Sequence, residues 1–149
     1  MFRLSLIAAV TMAPFLAVTS ALIAGPALAG GDAEVGAKEF GKCKACHAIV
    51  ADDGTVIVKG GKVGPNLYGV IGRTAGTAAE FKFGDDLIAA GAKGLVWDEA
   101  QLSAYTQNPT AFLKTYLGDD GAKGKMAFKL AKKTDDVAAY LASVAAPAP

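Results

Sequence analysis

The 149-residue sequence is poor in the side chains on which most metal sites and disulfide scaffolds depend, with one His and two Cys. A single His excludes every site built on a pair or triad of histidines. Two Cys exclude a disulfide-rich scaffold and any zinc site that needs four thiolates. The 15 Lys and Arg nearly balance the 14 Asp and Glu, whereas a nucleic-acid-binding domain is normally strongly basic. Nucleic acid is therefore not an expected partner.

The one long apolar run lies at the N-terminus. Arg3 gives a short positive start, an apolar stretch follows, and Ala27-Leu28-Ala29 forms an A-x-A site. This pattern is typical of a cleaved secretory signal peptide. A retained membrane anchor is the alternative, because about 20 apolar residues can span a bilayer. We expect residues 1–29 to be removed after Ala29, export to a bacterial periplasm, and one domain over residues 30–149.

Capping residues and apolar spacing predict several short helices in the rest of the chain. Asp98 followed by Gln101 resembles a capping box, and Pro109 is suited to the first position of a helix. The predicted helices run from Asp32 to about Lys42, from Asp98 to Asn108, from Pro109 to Gly118 and onward from a Thr134 cap, with a weaker one from Asp85 to Ala90.

Strand signals are weak, since only Thr55 to Val58 forms a short β-branched run suited to a hairpin arm. Short helices joined by glycine-rich loops make a thin core, and isolated helices of this length are marginal in water. We therefore predict an all-α fold of about five short helices and long loops. Something large and apolar should fill its centre.

The segment from Cys43 to His47 reads C-K-A-C-H, and C-x-x-C-H is the covalent attachment motif of a c-type haem. Cys43 and Cys46, three residues apart on one helical turn, can each add to a vinyl group of the haem. His47 is then placed to ligate the iron. The predicted export agrees with this, because haem c is attached outside the cytoplasm.

Three other uses of these residues are the alternatives. A redox dithiol would need a βαβ context, which the sequence does not show. A disulfide between the two Cys is compatible with export. A zinc site would have three ligands and no fourth Cys or His. The sequence favours one haem c, attached through Cys43 and Cys46.

Iron ligated by His47 needs a sixth ligand or keeps an open site. Met126 is the one Met in residues 30–149, and it lies in a loop rich in Gly and Lys, outside any apolar stripe. Core filling is the commoner use of Met, and a Lys amine could ligate only after losing its proton. A thioether ligand stabilises ferrous iron and gives an electron carrier. The alternative is a five-coordinate haem enzyme or gas sensor.

These motifs together resemble the class I c-type cytochromes, in particular the longer bacterial c2 and c550 type. The similarity extends from Gly30 to Val144. It implies the cytochrome c fold wrapped round one covalently bound haem, and a one-electron carrier that is not an enzyme. Gly36 matches the N-terminal helix of the family, and Tyr140 and Leu141 match the C-terminal helix that crosses it.

The resemblance also implies roles around the haem. The Pro65 carbonyl would accept a hydrogen bond from the His47 ring, and Arg73 and Trp97 would bind the haem propionates. Tyr105 would bring its hydroxyl to the Met sulfur. Departures from the family pattern are longer loops over 48–63 and 113–125, Phe83 in place of a propionate-bonding Tyr, and Gly124 in place of a hydroxyl residue.

The partners implied by the resemblance are membrane redox complexes. Electrons would come from a cytochrome bc1 complex and pass to a terminal oxidase or a photosynthetic reaction centre, with the carrier itself monomeric. Two segments carry the expected iron ligands: the motif from Cys43 to His47, and the loop around Met126. Lysines near both of these ligand segments would steer the encounter with an acidic partner. The candidates for this docking surface are Lys42, Lys44, Lys123, Lys125 and Lys129.

Overall fold

The computed structural model describes residues 30–145, so the predicted leader and its cleavage after Ala29 lie outside the described residues. Within that range, helices dominate and one small hairpin supplies the strands. The helices are α1 (Ala33–Glu39), α2 (Asp85–Ala92), α3 (Glu99–Gln107), α4 (Pro109–Leu117) and α5 (Thr134–Val144). A 3₁₀ turn, Phe40–Lys42, follows α1, and β1 (Ile49–Val50) pairs antiparallel with β2 (Val56–Val58). The predicted architecture is confirmed.

The predicted caps explain where three helices begin. The Asp32 carboxylate accepts from the first-turn amides of α1, and Asp98 accepts from the Gln101 amide at 2.6 Å. Asn108 ends α3 and caps α4 through its side chain. Gly118 closes α4 in the left-handed conformation, with φ of 71°, which glycine adopts without a steric penalty.

The start of α5 differs from the prediction. Thr134 is not the N-cap but the first helical residue, and Lys133 holds the cap position with φ of 61° and no side-chain cap bond. Thr134 is buried, and its hydroxyl lies 2.8 Å from Ser103 Oγ and 3.1 Å from Gln107 Nε2. The predicted cap was wrong because tertiary partners on α3 engage this hydroxyl.

Helices α1 and α5 cross at very close range. A Cβ on Gly36 would lie 1.9 Å from the Asp136 carbonyl oxygen, so the backbones can approach only because this residue is glycine. One turn further, the rings of Phe40 and Tyr140 pack with their centroids 5.6 Å apart. The contact predicted between the two ends of the domain is thus present.

The buried side chains surround an open centre. The core includes Phe40, Leu102, Tyr105 and Leu141, and these same residues line a large cavity among the helices and loops. None of the helices in residues 30–145 has the length and apolarity that crossing a bilayer requires. A cavity with this lining agrees with the expectation that an apolar group completes the core.

Candidate functional site

The C-x-x-C-H segment forms one helical turn directly after the 3₁₀ turn. The His47 amide donates to the Cys43 carbonyl at 2.9 Å, and the Cys46 amide approaches the same oxygen at 3.1 Å. Both thiols are free and half-buried, and burial raises the pKa of Cys43. The turn brings the two sulfurs and the imidazole to one side, where all three side chains line the central cavity.

A glycine-rich loop packs directly behind this turn. The Gly61 amide donates to the Lys44 carbonyl at 2.9 Å, and the Gly64 amide donates to the Cys46 carbonyl at 2.8 Å. A Cβ on Gly60 would lie 1.9 Å from the His47 carbonyl oxygen. These contacts were missed by the sequence analysis, although the Gly60-Gly61 pair beside Gly64 was a visible signal for close backbone approach.

The imidazole of His47 is held in a defined orientation. Its Nδ1 lies 2.9 Å from the Pro65 carbonyl oxygen, so the predicted hydrogen bond is present. A carbonyl can only accept, which puts the proton on Nδ1 and leaves the lone pair of Nε2 available. Burial lowers the pKa of His47, with the Pro65 bond opposing part of that effect. Burial thus favours the neutral imidazole, which is the form that can bind a metal.

The cavity has a volume of about 460 Å³ and a mostly apolar lining. That size lies within the roughly 300–1,000 Å³ usual for small-molecule and cofactor sites. The residues that the sequence analysis assigned to the cofactor all line it: Cys43, Cys46, His47, Pro65, Arg73, Trp97, Tyr105 and Met126.

Two polar groups are available to an occupant of the cavity. Trp97 is 6% exposed and Tyr105 is 8% exposed. Neither the indole N–H nor the phenol hydroxyl has a hydrogen-bond partner in residues 30–145, yet neither atom is sealed inside the protein. Burial raises the pKa of Tyr105 to about 12, so its hydroxyl stays protonated and can donate at neutral pH.

Aromatic packing holds these two residues in place. The ring centroids of Trp97 and Tyr105 are 5.0 Å apart, and Phe112 of α4 packs edge-on to Tyr105 at 5.6 Å. Phe112 is not among the residues predicted for the site, because sequence spacing does not show which helices meet. This aromatic packing fixes the positions of the Trp97 indole N–H and the Tyr105 hydroxyl, both of which face the cavity.

Arg73 is oriented by backbone carbonyls. Its guanidinium donates to the Asn66 oxygen at 3.2 Å and to the Tyr68 oxygen, while its side chain lines the cavity. Burial lowers the pKa of Arg73, although an arginine stays charged in proteins. The predicted proximity to the cofactor position is present, and the carbonyl contacts are an addition to it.

The five candidate docking lysines differ in the bonds that their amines make. Lys42 and Lys125 reach the cavity wall, but their amines have partners: Lys42 Nζ lies 2.5 Å from Glu39 Oε2, and Lys125 Nζ donates to the Phe83 carbonyl at 3.1 Å. The ion pair lowers the pKa of Glu39. Lys44 and Lys129 are exposed. Lys123 also lines the cavity wall.

The donor set distinguishes between the possible occupants. In the described part of the chain, no cluster of three or more His, Cys, Asp and Glu side chains could hold a metal ion. Two thiols, a neutral imidazole and a thioether on the wall of one large apolar cavity instead fit a covalently attached haem.

Comparison with known proteins gives the same assignment. The chain is 60% identical to cytochrome c2 of Rhodobacter capsulatus over 127 residues, which are 85% of this chain and 92% of that protein. It is 58% identical to cytochrome c-551 of Roseobacter denitrificans over 134 residues, 90% of this chain and 94% of that protein. No protein-family model matches the sequence.

A solved structure agrees with these relatives. The crystal structure of cytochrome c2 from Rhodobacter capsulatus aligns with a TM-score of 0.76 and 62% identity, covering 76% of this chain and 98% of that one. The fold is therefore the class I cytochrome c fold. With haem c attached through Cys43 and Cys46, the chain belongs to the cytochrome c2 and c-550 family of electron carriers, which are not enzymes.

Proposed function

We propose that His47 and Met126 would ligate the haem iron. The observation that carries this is the shared cavity: its wall holds the only His of the chain and the only Met of residues 30–145. The Pro65 bond leaves the Nε2 atom of His47 free to ligate. Met126 is half-buried and packs against the core although it lies in a loop.

The surrounding residues are suited to one-electron transfer. When bound, the haem supplies a one-electron Fe(III)/Fe(II) couple. His47 and Met126 would keep the same coordination in both oxidation states, so that little has to rearrange. The apolar wall that includes Leu102 and Leu141 excludes water from the site, which limits solvent reorganisation further. A methionine ligand also favours the ferrous state and raises the potential.

We further propose that the protein carries electrons in the periplasm, from a cytochrome bc1 complex to a terminal oxidase or a photosynthetic reaction centre. The A-x-A site at Ala27 to Ala29 supports export and cleavage after Ala29. Exposed lysines on both ligand segments, Lys44 and Lys129, support transient docking of the monomer to an acidic surface.

Visible spectra of the exported holoprotein test the ligand set. With His47 and Met126 ligation, the spectrum is low-spin and c-type, the oxidised form shows the weak far-red methionine–iron band, and CO leaves the reduced form unchanged. A Met126→Ala variant should lose the far-red band and bind CO. A high-spin wild-type spectrum that shifts with CO would contradict the proposal and indicate five-coordinate iron.

A further inference from the structure

The three residues before Met126 are each tied to a different part of the molecule. The Lys123 amide donates to the Asp86 carboxylate at 2.8 Å, and the Gly124 amide donates to the Thr110 hydroxyl at 3.2 Å. Lys125 Nζ donates to the Phe83 carbonyl. Asp86 lies in the first turn of α2 and Thr110 in the first turn of α4. Two helices thus hold the same short segment.

Close packing accompanies these bonds. A Cβ on Gly124 would lie 3.1 Å from the Pro109 side chain, so the segment lies against the start of α4. The Lys125 stem passes over Gly84, where an added Cβ would lie 3.1 Å from its Cγ. Here the Gly124 backbone lies close enough to the start of α4 for its amide to reach the Thr110 hydroxyl.

The stretch that carries Met126 is not held by backbone hydrogen bonds of its own. Among the described residues, no backbone–backbone hydrogen bond involves residues 125–129. The next such bond on the C-terminal side runs from the Leu130 amide to the Thr106 carbonyl at 2.9 Å. On the N-terminal side, the Asp119 amide donates to the Lys114 carbonyl of α4, and the remaining bonds of 119–122 stay within that loop. The orientation of Met126 therefore depends on the anchors at 123–124 and at 130.

We propose that Asp86 and Thr110 are positioning residues that hold Met126 in the cavity. This inference rests on the proposed ligation by Met126. The Asp86 bond is the stronger of the two, because its acceptor is a carboxylate in the first turn of a helix. Loss of either acceptor frees one backbone amide of the segment, so the Met loop opens more often and competes less well with an added ligand.

The test compares two variants with matched controls in the ferric holoprotein. Asp86→Ala and Thr110→Val remove the acceptors. Asp85→Ala removes a carboxylate from the same first turn of α2, and Thr115→Val makes the same change at an exposed position of α4. The readouts are the far-red methionine–iron band, the affinity for imidazole, and hydrogen exchange at the amides of 123 and 124.

The expected affinity for imidazole rises roughly 10-fold in Asp86→Ala and roughly 3-fold in Thr110→Val, with matching loss of amide protection. The controls and a Thr110→Ser variant, which restores a hydroxyl, stay within a factor of about 1.5 of wild type. A general loss of stability would not be rescued by serine alone.

Two results would overturn the inference, one by removing the positioning role and the other by removing the ligation on which it rests. A wild-type band with variants that match their controls overturns the positioning role alone. A wild-type spectrum without the band overturns the proposed ligation, and the inference with it.

Discussion

At the scale of single residues, Gly64 determines how the imidazole of His47 is seated. A Cβ at this position would lie 2.2 Å from the Cε1 atom and 2.6 Å from the Nδ1 atom of the His47 ring. The ring therefore rests directly on the glycine backbone, next to the Pro65 carbonyl that orients it. Any side chain at 64 must move the ring or the loop.

We predict that Gly64→Ala displaces the His47 ring and weakens its bond to Pro65. Overpacking of this kind costs roughly 1–3 kcal/mol of unfolding free energy. Denaturant unfolding of the holoprotein measures the loss, and the visible spectrum reports any change in ligation. Gly41→Ala is the control, because a Cβ there meets nothing within 4 Å. Equal effects at the two positions would show that the contact is unimportant.

At the scale of elements, short helices depend on their first turns. Helix α3 has nine residues, and the Asp98 carboxylate accepts from its Gln101 amide. This helix carries Leu102 and Tyr105 to the cavity wall, so its N-terminus also positions one side of the site. A helix of this length has little stability outside its tertiary contacts.

We predict that Asp98→Ala lowers the free energy of unfolding by about 1 kcal/mol, the usual cost of losing an N-cap acceptor. Denaturant titration of the holoprotein measures it. Asp98→Asn keeps an oxygen at the same position and should retain most of the stability. If the two variants lost the same amount, charge and not the capping bond would be responsible.

Local chemistry explains which elements could be predicted from the sequence. Asp32, Asp98 and Asn108 bond to amides two or three residues away, and such contacts are visible in a linear pattern. Thr134 has the same capping ability, but its hydroxyl contacts α3 instead. That choice depends on a partner about thirty residues away, which spacing along one segment cannot show.

At the scale of the whole molecule, the site draws on both ends and the middle of the domain. The attachment turn and the presence of Met126 at the cavity could be predicted, because each is the sole carrier of its chemistry in residues 30–145. The contacts of Gly60, Asp86 and Thr110 could not be predicted, since each joins residues far apart in sequence. Only the whole fold shows which glycine, aspartate or threonine lies beside the two segments that carry His47 and Met126.

The surface charge around the two ligand segments should govern association with an acidic redox partner. We predict that Lys44→Glu and Lys129→Glu, made singly, lower the association rate with a cytochrome bc1 complex several-fold at low salt, because steering charge is lost. The difference should fade as ionic strength rises. Stopped-flow kinetics measure the rates, with unchanged visible spectra.

Lys42 and Lys125 are poor choices for that experiment, because the bond of Lys42 to Glu39 or of Lys125 to Phe83 would be lost too. Lys38→Glu is the charge-matched control, since Lys38 is exposed on α1 and lies neither in the Cys43–His47 turn nor in the loop that carries Met126. Rates that fall equally in all three variants would indicate a general charge effect and not a docking surface.

The crossing of α1 and α5 also has a kinetic consequence. The Asp32 amide donates to the Asp136 carboxylate, 104 positions away in the sequence. Contacts between residues so far apart in sequence form slowly during folding. A seven-residue helix cannot persist alone, so α1 has no lasting partner until residue 134 and those after it have been synthesised. We therefore expect the Cys43 and Cys46 thiols to stay accessible throughout translation, and to be enclosed only once the final helix docks.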